Sequence, residues 1–221
     1  MIDLHTHSLF SDGELLPTEL IRRAYIAGYT VLAITDHVDS SNMDFVIPRI
    51  AEAVNEIAEH VQIKVITGAE ITHVPPKLIG KLVERARGLG AKLVVVHGET
   101  VAEPVTPGTN RAGIESGADI LSHPGLITKE DAQKARENGV ALEITSRKGH
   151  SISNGHVFRV AMETGAMLVV NSDAHAPEDL ITPYRAKVVL RGAGAEENAL
   201  EGIFANSQRI IERIEQSAAR G

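Results

Sequence analysis

Short apolar runs rich in β-branched residues recur along this 221-residue chain, each followed by a polar turn and a segment of helical spacing. Expected strands are 2–5, 31–35, 63–69, 92–97, 119–122, 140–145 and 167–171, and segments such as 17–27, 47–60 and 77–89 carry apolar residues at helical intervals. Gly28, Gly90, Gly117, Gly139 and Gly165 stand where the helices should stop. Strands that read as continuous apolar runs between helices pair in parallel and are buried on both faces. Seven such units predict a closed α/β barrel rather than an open sheet. No linker-like or low-complexity stretch divides the chain, so residues 1–221 read as one domain. A C-terminal helix over about 196–217 is expected to pack outside the barrel. Lys187–Leu190 fits either an extra strand or a helix.

Nearly every expected strand ends in a residue able to bind a metal. Strand one runs into Asp3-x-His5-x-His7, strand two into Asp36-His37 and strand three into Glu70. Strands four and five lead to His97 and His123, and strand seven to Asp173-x-His175. A parallel barrel gathers all C-terminal strand ends on one face. Residues i and i+2 share a side of a strand, so His5 and His7 point together, as do Asp173 and His175. Asp36 and His37 face opposite ways; His37 is the expected ligand, with Asp36 orienting its neighbours. Asp3, one step deeper than His5, has the same supporting role. The chain has no cysteine, so any metal must be held by imidazole nitrogen and carboxylate oxygen.

These residues resemble the PHP superfamily, the polymerase and histidinol phosphatase group of metal-dependent phosphoesterases. The matching motifs are Asp3-Leu4-His5-Thr6-His7-Ser8, Thr35-Asp36-His37, Gly68-Ala69-Glu70, His97, Ser122-His123-Pro124-Gly125 and Asn171-Ser172-Asp173-Ala174-His175. The resemblance implies a distorted (β/α)7 TIM-like barrel with up to three divalent ions, Zn²⁺, Mn²⁺ or Fe²⁺. By the same resemblance His5, His7, Glu70 and Asp173 hold one ion; Asp12, His37 and His175 a second; and His97 and His123 a third, with Glu70 bridging. Asp12 stands where many relatives carry His, which makes that position richer in oxygen. No expected ligand is missing, which counts against a relative that has lost its metals and serves as a non-catalytic binding subunit.

Such a cluster activates water and polarises a phosphoryl oxygen. The expected activity is hydrolysis of a small phosphorylated metabolite, a histidinol-phosphate- or nucleotide-like monoester, with a nuclease or phosphodiesterase as the alternative. A metal-dependent amidohydrolase also uses a barrel with His-x-His, but strand four ends in His97 rather than the lysine typical there. Arg147, Lys148 and His150 follow the sixth strand and are candidates to bind substrate, while Arg147 and Lys148 also suit a solvated loop. Asn154 either lines the pocket or caps the next helix; Arg111 and Arg185 are weaker candidates, and Glu99 is near His97 with its direction open. His60 is expected on the surface, and His73 and His156 have no expected role in the site. A formal charge of −7 argues against an extended nucleic-acid surface. No apolar run is long enough to span a membrane and no signal peptide opens the chain, so a cytoplasmic location is expected.

Overall fold

A computed structural model describes residues 1–218; the last three residues of the expected domain lie outside the described residues. Eight parallel strands alternate with helices: β1 (Ile2–Asp3), β2 (Val31–Ile34), β3 (His37–Val38), β4 (Lys64–Ile71), β5 (Leu93–His97), β6 (Ile120–Ser122), β7 (Ala141–Thr145) and β8 (Leu168–Asn171). The pairing order is β1-β2-β4-β5-β6-β7-β8, with β3 also on β4. β2 and β3 keep one register against β4, since Ile34 faces Thr67 and His37 faces Glu70. They are one barrel strand broken at Thr35–Asp36, so the wall has seven strands, as expected. A bridge between Thr6 and Ala174 links the first and last strands beyond their ends. His7 N–H donates to the Ala174 carbonyl at 2.8 Å and Asp173 N–H to the His5 carbonyl at 3.0 Å, bringing the barrel close to closure.

The helices are α1 (Pro17–Ile26), α2 (Met43–Ile57), α3 (Pro76–Gly88), α4 (Thr109–Glu115), α5 (Lys129–Asn138), α6 (Asn154–Thr164), α7 (Pro183–Gly192) and α8 (Glu197–Ala218). Among the differences from the expected boundaries, two have plain physical reasons. α2 begins at Met43 rather than Ile47, with Pro48 inside it. Burial of Met43, Val46, Ile47 and Ile50 outweighs the one backbone hydrogen bond that Pro48 forfeits. β1 ends at Asp3, because the Asp3 carboxylate accepts the N–H of His5 and turns the chain out of strand geometry. Lys187–Leu190 belong to α7.

Two apolar clusters form the core. One lies between strands and outer helices, with Leu32, Val94, Leu121 and Leu142 facing Ile50, Val83, Ile114 and Val157. The other fills the barrel with Leu4, Ala33, Ile66, Leu93, Val95, Ile120, Ala141 and Val169. α8 reaches this inner cluster through Ile210 and Ile211. Arg213 donates to Gly139 O and Asn206 to Leu168 O, both at strand starts, so α8 covers the N-terminal end of the barrel. The C-terminal end is left open for chemistry. No helix among the described residues is long and apolar enough to cross a membrane.

Candidate metal and active site

The barrel interior changes from apolar to ligand-bearing along each strand. On β5, Leu93 and Val95 fill the interior, and His97, two residues on, lines the cavity at the open end. β6 follows Ile120 with Ser122, β7 follows Ala141 with Glu143, and β8 follows Val169 with Asn171. β4 carries Glu70 inside the strand rather than past its end, because β3 extends the pairing to that level. Three non-glycine residues among those described have left-handed φ: His73 (52°), His123 (25°) and Asp173 (54°). All three lie in the site, consistent with strain tolerated where a side chain must be aimed.

Eight of the chain's ten histidines fall in donor groups of possible metal-binding spacing. His5, His7 and Asp173 form one; Asp12, His37 and His175 with His7 form a second; Glu70, His97 and His123 form a third. Glu70 links the groups: its Oε1 lies 3.3 Å from His5 Nε2 and 3.9 Å from His123 Nε2, and its Oε2 lies 2.7 Å from His37 Nδ1. Asp173 Oδ1 stands 3.2 Å from His7 Nε2, and Asp12 Oδ1 3.2 Å from His175 Nε2. Every residue expected as a ligand is thus brought to the same end of the barrel. Two further groups are His73, His97 and Glu103, and His123, His150 and Asp173.

The supporting residues act as hydrogen-bond frames. Asp36 is fully buried and accepts from Ser8 and Ser11, through both backbone N–H and hydroxyl. It holds the loop that carries Asp12, and burial raises its carboxyl pKa against those bonds. Asp3 accepts the N–H groups of His5 and Ser172, joining the exits of β1 and β8; burial raises its pKa to about 6. Two partners were not foreseen from the sequence. Glu143 Oε1 is 2.8 Å from His5 Nδ1, and Ser122 Oγ donates to Glu70 at 2.6 Å. Glu143 sits mid-strand between Leu142 and Ile144, and a carboxylate inside a fully buried strand was the available signal.

Charge among the protein groups of the site is unevenly held. Burial, then the neighbouring imidazoles of His37, His5 and His175, push the His7 pKa well below the usual range. His123 is lowered by burial and by His97. His5 is raised, because Glu143, Glu70 and Asp173 around it outweigh its burial. Glu70 is held well below the carboxylate range by His5 and His37, which overcome its burial. Burial, with Glu70 and Glu143 adding to it, raises Asp173 to about 7.

A test of whether cations belong here comes from the unpaired atoms. His5 Nε2, both ring nitrogens of His7, His97 Nδ1 and His123 Nδ1 are buried without a hydrogen-bond partner. A buried polar atom left so costs about 1–3 kcal/mol. Two ligands of one small divalent ion, each bound at about 2.1 Å, stand about 3–3.5 Å apart. His5 Nε2 to Glu70 (3.3 Å), His7 Nε2 to Asp173 (3.2 Å) and His123 Nε2 to Asp173 (3.5 Å) have that spacing. The donor set fits divalent metal ions held by nitrogen and oxygen.

The groups open into a cavity of about 240 Å³ whose walls include Asp12, His37, His97, His123, Asp173, His175, Thr72, His73, Glu103, Arg147 and His150. Arg147 and His150 therefore face it, whereas Lys148 is exposed and outside its walls. Arg147 Nη1 donates to Asp179 at 2.9 Å. His150 Nδ1 is 2.7 Å from Thr100 Oγ1 and its ring stacks on His123 at 4.2 Å. Glu103 gathers His73 (2.9 Å), His97 (3.3 Å) and His150 (3.3 Å); the hydrogen bond from His97 leads those that lower its pKa to about 2. Neither His73 nor Glu103 was expected there, because both lie on loops after strands. Asn154 bonds the Thr145 backbone, and Glu99 caps the start of α4 through the N–H groups of Gly108 and Asn110. Arg111 pairs with Asp131 on the surface, Arg185 and His60 are exposed, and His156 bonds the Ile127 carbonyl.

Comparison with known proteins follows the same lines. The family model described as PHP domain matches residues 3–150. An uncharacterized protein of Methanocaldococcus jannaschii is 48% identical over 215 residues, covering 96% of this chain and 99% of that protein. A probable phosphatase of Shewanella pealeana is 30% identical, covering 87% of this chain and 84% of the relative. Among solved structures, histidinol phosphate phosphatase of Lactococcus lactis, complexed with zinc, L-histidinol and phosphate, superposes with a TM-score of 0.61. It is 16% identical and covers 88% of this chain and 94% of its own.

Proposed function

Since this chain belongs to the PHP domain family, we propose that it is a metal-dependent phosphoesterase acting on a small phosphorylated metabolite, a histidinol-phosphate- or nucleotide-like monoester. One observation carries the reading: three donor groups, with buried unpaired ring nitrogens at ligand spacing, converge on one small cavity. His5, His7, Glu70 and Asp173 would hold one ion, Asp12, His37 and His175 a second, and Glu70, His97 and His123 a third. Ions bound there would polarise a phosphoryl oxygen and lower the pKa of a water. Glu143 keeps the Nδ1 proton on His5, so that the proton an ion would displace is the one on Nε2, which faces the ligand cluster. His7 and His123, kept neutral by burial, present lone pairs at neutral pH without first losing a proton. Arg147 supplies a planar, permanently charged group from the cavity wall, suited to grip the phosphate.

The cavity size, about 240 Å³, favours a small ester over a polymer enclosed along its length. The experiment is phosphate release by protein stripped with chelator and reloaded with Mn²⁺, Zn²⁺ or Fe²⁺. The panel holds histidinol phosphate, nucleoside monophosphates, sugar phosphates, phosphodiesters and single-stranded RNA and DNA. Release from one small monoester supports the proposal. Mononucleotides released from strand ends would move the assignment to a nuclease. No turnover with metal bound would point to a binding role.

A further inference from the structure

Asp179 lies in the 3₁₀ turn Pro177–Asp179 that follows β8, six residues beyond Asp173. Its Oδ2 accepts three hydrogen bonds: from Arg147 Nη1 at 2.9 Å, and from the backbone N–H groups of His175 and Ala176 at 3.0 Å each. Arg147 comes from the loop after β7, so a single carboxylate oxygen joins two neighbouring loops at the catalytic end of the barrel. On one side it holds the turn that presents His175. On the other it holds the only arginine among the described cavity-wall residues.

We infer that Asp179 is a positioning residue that aims Arg147 at the substrate phosphate and fixes its height relative to the metal ligands of the β8 loop. The inference rests on the phosphoesterase reading above. An arginine side chain free in solution samples many rotamers, and ordering it on binding weakens the complex. With Nη1 tied to Asp179, no other guanidinium nitrogen of Arg147 has a side-chain partner among the described residues, which leaves donors for a phosphate. The same oxygen binds the His175 N–H, so a shift of Arg147 relative to His175 would stretch one bond or the other. Phosphate and metal positions are thereby registered.

The test is a double-mutant cycle on binding of inorganic phosphate, titrated calorimetrically into Mn²⁺-loaded protein, with metal content measured for every variant. Asp179→Ala should weaken phosphate binding about five-fold, the scale of leaving one long side chain unordered. In an Arg147→Ala background the same change should have no further effect. If Asp179→Ala does not fold, Asp179→Asn takes its place in the cycle; its carbonyl oxygen still accepts from His175 and Ala176 but lacks the charge that holds Arg147. An equal loss in both backgrounds, or a fall in bound metal, would mean that Asp179 only supports the β8 loop, and would overturn the inference. Phosphate binding unchanged by Arg147→Ala would overturn it as well. Failure of the phosphoesterase reading looks different: wild-type protein, loaded with metal, would neither bind phosphate nor release it from any ester.

Discussion

Glu143→Gln changes one atom and should weaken metal binding through His5. Glu143 is fully buried; its Oε1 is 2.8 Å from both His5 Nδ1 and Asn171 Nδ2, and its Oε2 accepts the His123 N–H at 3.2 Å. Glutamine has one acceptor and one donor end. If its carbonyl stays toward His5, its NH₂ meets the His123 N–H, donor against donor. If it turns over, its NH₂ meets the Asn171 amide and forces the His5 proton onto Nε2, the nitrogen that must ligate. Either way the frame is spoiled. Changes to such supporting partners lower metal affinity about 10–100-fold, equivalent to about 1.4–2.7 kcal/mol. Metal that binds only the folded state stabilises it in proportion to the logarithm of its affinity. For a chain of this size about 1 kcal/mol moves Tm by about 2–4 °C. The rise in Tm on adding Mn²⁺ should therefore shrink by about 3–11 °C in the variant. The metal-free protein should lose some stability too, because the Glu143 charge supports the His5 proton there, a loss partly offset by relief of its repulsion of Asp173. Thermal melts with and without metal, beside direct metal titration, measure both. An equal Tm loss in the two states with unchanged affinity would refute the claim that Glu143 works through His5.

Three other outcomes are expected. His7→Ala and Asp173→Ala should each abolish turnover while leaving the far-ultraviolet circular dichroism of a folded barrel; normal activity in either would remove the site from consideration. Metal affinity should rise with pH through neutrality, because Asp173 (raised to about 7) and His5 (raised) hold protons in the metal-free site that the ion must displace. Calorimetry in buffers of different ionisation enthalpy should show proton release that grows as pH falls toward 6, and a flat profile would contradict it. Gly125→Ala should destabilise the protein by about 1–3 kcal/mol. A Cβ there would lie 1.9 Å from the Glu99 carbonyl oxygen at φ +58°, so an unchanged melting curve would mean that the β5 and β6 loops do not pass so closely.

The sequence was most informative where chemistry and topology coincide. A parallel barrel brings strand ends together whatever their separation along the chain, so a ligand type at nearly every strand end was enough to propose a cluster from His5 to His175. Residues that act from other levels were harder to read. Glu143 stands one layer deeper, within Ala141–Thr145, and only its misfit among apolar neighbours marks it. Glu103, His73 and Asp179 lie on loops or in short turns, whose paths depend on tertiary contacts rather than on a local period. The break in the second barrel strand is also tertiary in origin. The Thr35 hydroxyl accepts the Thr6 N–H, and Asp36 turns its carboxylate to Ser8 and Ser11, before His37 rejoins the register against Glu70.

The most direct test of the account is hydrolysis of the best monoester in ¹⁸O-labelled water, comparing chelator-stripped with metal-reloaded protein. The account predicts release only from the reloaded protein, with the label in inorganic phosphate, because water attacks phosphorus. Release that survives complete stripping, or label found in the alcohol product, would contradict it.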